Sequence, residues 1–260
     1  MNIVTCFKFA PDSEDIEVKQ DGTISLEKAE WIISDYDLQG VEAAVTLVES
    51  SSGKVTALSA GSHKISNSKL KKDILSRGPD ELYMVVDDQL DVNDTHFTAE
   101  ILAQAIQKLN QMDHVDLVIC GEGSSDLYFQ QVGLQVGEIL GWPTINSVGK
   151  IEASGNHVIV ERNLEDEVEV LEVPLPAVIS VTTDINQARL PSMKEILKAG
   201  QKPVVEWGLS DLALPETEVG VEILSVTAPR QVDRKKILIE SKAEDAVATL
   251  IGYLSKEGVI

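Results

Sequence analysis

The 260-residue chain carries only two cysteines, four histidines and 4% aromatic residues. The cysteines, Cys6 and Cys120, lie far apart in separate apolar runs, so no disulfide framework or thiolate metal cluster is expected and a reducing compartment fits best. So few aromatic rings leave little on which single-stranded nucleic acid can stack. Positive charge is also scarce, with 22 Lys and Arg against 43 Asp and Glu and a net charge of -21. That field repels phosphate backbones and anionic membrane surfaces, which excludes nucleic acid as an expected partner. Long apolar runs are missing as well. The start, MNIVTCFKFAPDSED, lacks the basic flank and apolar stretch of a signal peptide, and the run at residues 173–181 is interrupted by Pro174 and Pro176. The expectation is a cytoplasmic protein without a membrane span.

Motifs of bond chemistry are absent too. The sequence has no Gly-Lys-Ser/Thr phosphate loop, no His-Glu-x-x-His and no Gly-x-Ser-x-Gly, and His63, His96, His114 and His157 show no ligand spacing. Neither a metal site nor a catalytic residue is expected. Acidic pairs such as Asp87-Asp88 are unremarkable in a chain this acidic and mark solvated loops rather than general acids.

What is present is a rhythm. Apolar runs at residues 3–9, 55–59, 82–86 and 115–120 lack polar alternation, as strands buried on both faces do. Between and after them, residues 36–47, 64–76, 98–109 and 126–140 space their apolar side chains as helices do. Strand and helix in turn predict an α/β fold with a parallel sheet covered by helices on both faces. Beyond Trp142-Pro143, residues 147–152, 157–162, 167–173 and 177–183 read as sequential antiparallel strands added to that sheet or folded over it. A loop entering a short helix follows at residues 189–199, and the tail from residue 204 reads as an arm with one strand at 237–240 and a final helix. The division expected is a domain at residues 1–203 and an arm at residues 204–260.

Two segments carry the candidate chemistry. GEGSSD, from Gly121 to Asp126, joins a strand to a helix, the place where open α/β sheets bind ligands and where free helix amides attract phosphate. Glycine there serves equally well for the turn geometry alone. Gln130, Gln131 and Gly133 fall on the first turns of the helix expected next, while Ser34 or Asp35 is placed to cap the helix containing Tyr36 and Asp37. The second segment, residues 182–203, is apolar and basic in an acidic chain: Leu190, Met193, Ile196 and Leu197 stand among Lys194, Lys198 and Lys202. It is either a docking peptide for a partner or a helix laying its apolar stripe on the core.

Six ordered segments together resemble the electron transfer flavoprotein beta subunits, more closely the Fix-type bacterial branch. They are VTCFKFAPDSED, SDYDLQGVEAA, KDILSRGPDELY, CGEGSSDLYFQQVGLQVGEILGWP, VERNLEDEVEVLEVPLPAVISVTTDIN and LPSMKEILKAGQKP. The resemblance implies a Rossmann-like domain that carries electrons without bond-making catalysis of its own. It implies pairing with an alpha subunit that holds FAD, and AMP, or a second FAD in bifurcating relatives, in this chain. By position, the adenine nucleotide is expected to contact Cys6, Ser34, Asp35, Tyr36, Asp37, Ala60, Gly121, Gly123, Ser124, Asp126, Leu127, Gln130, Gln131 and Val132. A recognition loop for a flavin dehydrogenase falls on Arg189, Leu190, Met193, Ile196 and Leu197, with Met193 at the anchor position where leucine is familiar. Onward transfer to a quinone oxidoreductase or other acceptor follows, and the C-terminal arm would clasp the alpha subunit. A stand-alone ATP-binding protein of stress-protein type is the alternative from a different class.

Overall fold

The computed structural model describes residues 1–90, 94–215, 220–229 and 234–260. In chain order its first half contains β1 (Asn2–Cys6), β2 (Phe9–Pro11), β3 (Glu17–Val18), β4 (Ile24–Ser25), β5 (Trp31–Ile33), α1 (Asp35–Ser51), β6 (Lys54–Gly61), α2 (Ser68–Ser76), β7 (Glu81–Val86), α3 (Thr95–Met112) and β8 (Leu117–Gly121). Then come α4 (Val132–Leu140), β9 (Thr144–Ser154), β10 (His157–Asn163), β11 (Val168–Pro174), β12 (Ala177–Val181), α5 (Met193–Ala199), β13 (Val204–Trp207) and α6 (Ala243–Lys256).

The apolar runs form strands because both of their faces are covered. In β1, Ile3 joins one core while Val4 and Cys6 join the other; in β8, Leu117 and Ile119 face the first core, Val118 and Cys120 the second. α1 and α2 close the first core with Val41, Val45, Leu70 and Ile74, and α3 and α4 close the second with Phe97, Ile101, Ile106 and Val136. The result is an α/β, Rossmann-like architecture around a nine-stranded sheet in the order β11-β10-β9-β12-β8-β1-β6-β7-β13. From β1 the chain winds outward through β6 to β7, then α3 returns it to the other side of β1 as β8. Strand order therefore reverses between β1 and β8, and a crevice opens beyond their carboxyl ends.

Several sequence expectations are corrected. Residues 3–9 are not one strand: β1 stops at Cys6, the Lys8 amide turns to the Asp37 carboxylate, and Phe9 restarts as β2 against β5. The helix at 64–76 begins only at Ser68, where Asn67 caps it by accepting from the Leu70 amide. β12 is not antiparallel but lies parallel between β8 and β9, and in the main sheet only β10 runs against its neighbours. β13 pairs with β7 as an edge strand and buries Trp207, so the sheet extends past the boundary expected at residue 203. Residues 237–240 form no strand, and Ile237 and Leu238 stay exposed. A short apolar run needs a sheet edge to pair with, and among the described residues none adjoins this one.

α4 packs its small face on β9. A Cβ on Gly137 would lie 1.8 Å from Thr144 Oγ1. Alanine outranks glycine by ~1 kcal/mol in an open helix, whereas overpacking such a contact costs about 1–3 kcal/mol. Gly137→Ala is therefore expected to lower the thermal unfolding midpoint; a midpoint that rises would mean α4 shifts freely on β9.

Candidate functional site

The crevice beyond β1 and β8 is walled by apolar side chains, Ala60, Leu90, Leu102, Leu127, Phe129 and Val132, with polar groups from Asp94, Thr95, Thr98, Gln130 and Gln131 converging on it. Its floor is Cys6 and Cys120. At one side stands the start of α4, where Gln131 occupies the N-cap without a side-chain capping bond. The first intrahelical bond there is Gln135 N to Gln131 O, so the amides of Val132, Gly133 and Leu134 have no intrahelical acceptor and face outward along the positive end of the helix. Among the described residues Lys8 is the sole cation lining the crevice, and its Nζ is 2.5 Å from Asp126 Oδ2. Burial pushes the Asp126 carboxyl up, but the Lys8 ammonium and the Ser124 hydroxyl hold it below its ordinary value.

Asp37, in the first turn of α1, also lines the crevice. Its carboxylate accepts from the Lys8 amide at 2.8 Å and packs against Gly121, where a Cβ would stand 2.6 Å from Oδ1. It thereby ties the chain just past β1 to the start of α1, with the end of β8 packed closely on both. Ser34 occupies the N-cap but makes no capping bond; its Oγ accepts instead from the Ser125 amide at 3.3 Å. The expected cap is thus a tertiary contact. Burial is the main influence on Asp37 and pushes its carboxyl up to about 7, against the pull of the Lys8 amide and charge and of the Gly121 amide.

The helix expected from residue 126 begins only at Val132. Residues 122–131 are a loop in which Tyr128 and Gln130 take left-handed backbone angles, φ 49° and 57°, that no helix accommodates. Leu127 and Phe129, within the span 126–140 that reads as helical, form a partly exposed lip over the crevice. Gln130 and Gln131 therefore reach the crevice from loop and N-cap, with Gln131 Oε1 accepting from Thr95 Oγ1 at 3.1 Å. The glycines serve the chain itself. A Cβ on Gly121 would meet Asp37 Oδ1 at 2.6 Å, and one on Gly123 would meet the Tyr128 ring at 2.4 Å.

Of the expected nucleotide contacts, Cys6, Asp37, Ala60, Gly121, Gly123, Ser124, Leu127, Gln130, Gln131 and Val132 converge on this crevice. Ser34, Asp35, Tyr36 and Asp126 stand beside it: Asp35 lies with Ser125 in a separate shallow depression, and Tyr36 stacks on Tyr128 with ring centroids 4.8 Å apart.

The second candidate segment is held away from the core. Arg189 is not a free docking group: its guanidinium reaches Glu42 at 2.7 and 2.9 Å and Glu49 at 2.7 and 3.1 Å, both on α1. The two glutamates push Arg189 further up and Arg189 holds Glu49 down. Gln39 of the same helix binds Asn186 and the Ala188 amide. At the far end Lys202 Nζ donates to the carbonyls of Leu75, Gly78 and Pro79. Between these two anchors Leu190, Met193 and Leu197 are 89%, 74% and 73% exposed, and α5 buries only Ala199. A stripe laid on the core is thus not what this segment forms.

The sequence pattern of the electron transfer flavoprotein domain matches residues 21–212 of the chain. The chain belongs to that family. In this electron transfer flavoprotein domain, sequence reasoning missed Lys8, Asp94, Thr95, Thr98 and Cys120 as crevice residues, because they sit on separate elements or loops and share no local motif. Lys8 had one available signal, as the lone cation in the loop after the first strand. Among the described residues no cluster of His, Cys, Asp or Glu could hold a metal ion, and no helix is long and apolar enough to cross a membrane.

Asp37 gives this flavoprotein domain a pH signature. A carboxyl whose folded-state pKa lies above its unfolded value holds its proton more tightly when folded, so its contribution to stability is full below 3.8 and is lost as pH rises to about 7. Relative to Asp37→Asn, the wild-type chain is expected to lose on the order of 4 kcal/mol over that interval, with parallel stability curves above it. Urea titrations across the range check this; a difference independent of pH would place the charge cost elsewhere.

Proposed function

We propose that this chain is the beta-type subunit of a heterodimeric electron transfer flavoprotein of the Fix-type branch, located in the cytoplasm. It binds AMP in the crevice between β1 and β8 and pairs with an alpha subunit that holds FAD. A flavin dehydrogenase docks on the segment around Met193, and electrons pass through that flavin to a quinone oxidoreductase or another acceptor. The observation that carries the reading is the coexistence, in one electron transfer flavoprotein domain, of a ligand-sized crevice at the strand-order reversal and a separately braced, exposed apolar segment.

The residues present fit a nucleotide. The free amides at the start of α4 suit a phosphate, Lys8 adds one positive charge, and Gln130, Gln131, Thr95 and Thr98 offer hydrogen bonds to a base edge or ribose. With a single lysine and with Asp37, Asp94 and Glu122 in the same wall, the crevice favours a monophosphate over a triphosphate, which disfavours a stand-alone ATP-binding role. The flavin supplies the redox chemistry; this chain's groups bind, orient and present. The docking segment offers Met193 as an adaptable apolar contact inside a frame set by Arg189 and Lys202. Past β13 the tail exposes Leu224, Leu238, Val247, Leu250 and Ile251, an apolar series in keeping with an arm that clasps the alpha subunit.

Denaturing the purified complex of this chain with its alpha subunit and separating the released nucleotides by mass tests the cofactor reading. One FAD with one AMP supports a simple carrier, two FAD point to a bifurcating protein with flavin in the crevice, and no copurifying subunit or nucleotide sinks the assignment. For docking, Met193→Ala is expected to raise the KM for the dehydrogenase on the order of tenfold, equivalent to about 1.4 kcal/mol. Arg189→Met, which leaves the apolar contacts in place, should raise KM in the same direction and speed amide exchange over residues 186–199. Unchanged transfer kinetics in both variants would remove the segment from docking.

A further inference from the structure

Cys6 and Cys120, the only cysteines of the chain, are distant in sequence and adjacent in space. Cys6 ends β1, and Cys120 is its direct partner in the parallel register of β8. Neighbouring strands lie about 4.8 Å apart, inside the roughly 4.4–6.8 Å of Cα separation that a disulfide spans. Residues paired in register share a face, and both side chains belong to the core covered by α3 and α4. Each residue is 5% exposed, and both line the floor of the crevice. The sulfurs are free thiols.

We propose that Cys6 and Cys120 are a redox-sensitive dithiol that a hydroperoxide closes to an intrachain disulfide when the crevice is empty, and that a ligand filling the crevice shields.

The two thiols have different surroundings. The neighbouring Cys120, burial and the Asp37 carboxylate push the Cys6 thiol well up, so Cys6 keeps its proton. Cys120 lies against the first turn of α4, where a Cβ on Gly133 would stand 3.5 Å from its sulfur. The start of a helix is where an attacking sulfur is best accommodated. Cys120 is therefore the sulfur that attacks and Cys6 the one that resolves. The Cys120 sulfur takes one oxygen as the peroxide O–O bond breaks, giving a sulfenic acid and releasing an alcohol, or water from hydrogen peroxide itself. The Cys6 sulfur then attacks the Cys120 sulfur; the S–O bond breaks and the oxygen leaves as water with the Cys6 proton. Two thiols give up two electrons, and the peroxide accepts them.

The shielding half of the proposal rests on the nucleotide reading; the cross-link does not. Hydrogen peroxide is added to the purified full-length chain, and thiols are counted in denaturant alongside intact-mass spectrometry. Both thiols should disappear together with the loss of two hydrogen masses and no covalent dimer. AMP at about ten times its Kd should slow the reaction roughly tenfold, in proportion to the empty fraction. Cys6→Ser should leave a sulfenic acid on Cys120 that dimedone traps, while Cys120→Ser should leave Cys6 unreacted over the same time. Disulfides only between chains, or thiols lost independently of each other, overturn the proposal. So does an undiminished rate with AMP shown by calorimetry to be bound. If AMP does not bind at all, the nucleotide reading falls while the cross-link still decides whether the dithiol exists.

Discussion

Buried negative charge is costly, and this fold places one carboxylate where the loops at the carboxyl ends of a parallel sheet most need an acceptor. Buried backbone amides must find partners, and where β1 and β8 end they no longer find them in the ladder. Asp37 accepts from the Lys8 amide beyond one strand and packs against Gly121 at the end of the other, where a Cβ would stand 2.6 Å from its Oδ1. The crevice follows from this arrangement. β1 cannot continue past Cys6, the loop after β8 is seated by Ser34 on Ser125, and the free start of α4 is left facing the opening. The left-handed residues Tyr128 and Gln130 are the local strain that this route of the chain imposes.

The same helix supports both the crevice and the exposed segment. The first turn of α1 carries Asp37 under the crevice, while Gln39, Glu42 and Glu49 further along it hold residues 186–189. Most exposed ion pairs contribute little, but Arg189 binds two carboxylates through forked contacts, the geometry in which guanidinium pairing is strongest. The exposed segment thus begins from a fixed point on a buried helix, and Lys202 closes it by meeting carbonyls at the end of α2. A short apolar helix that would otherwise collapse onto the core is kept outside it.

Much of the fold was legible because parallel strands and amphipathic helices leave different periods in the sequence. The runs containing Val4, Leu58, Val85 and Val118 all became central strands, since burial on both faces demands unbroken apolar residues. The errors have one source. Periodicity reports which residues are covered, not what covers them or which way a strand runs. Leu127 and Phe129 lend residues 126–131 a helical look because they roof a crevice, and the direction of β12 is hidden because a buried strand looks alike parallel or antiparallel.

By itself, the sequence determined the class of fold, the acidic surface and the two segments worth attention, because each is carried by residues that are neighbours along the chain. The tertiary structure alone decided that Asp37 is a buried acceptor beside the crevice rather than a solvated helix-start acid, and that Arg189 is paired with Glu42 and Glu49 of α1. It also decided that Cys6 meets Cys120. Each of those roles depends on a partner far away in the chain. Such a pairing is set by sheet order and helix packing, which no local pattern of residues encodes.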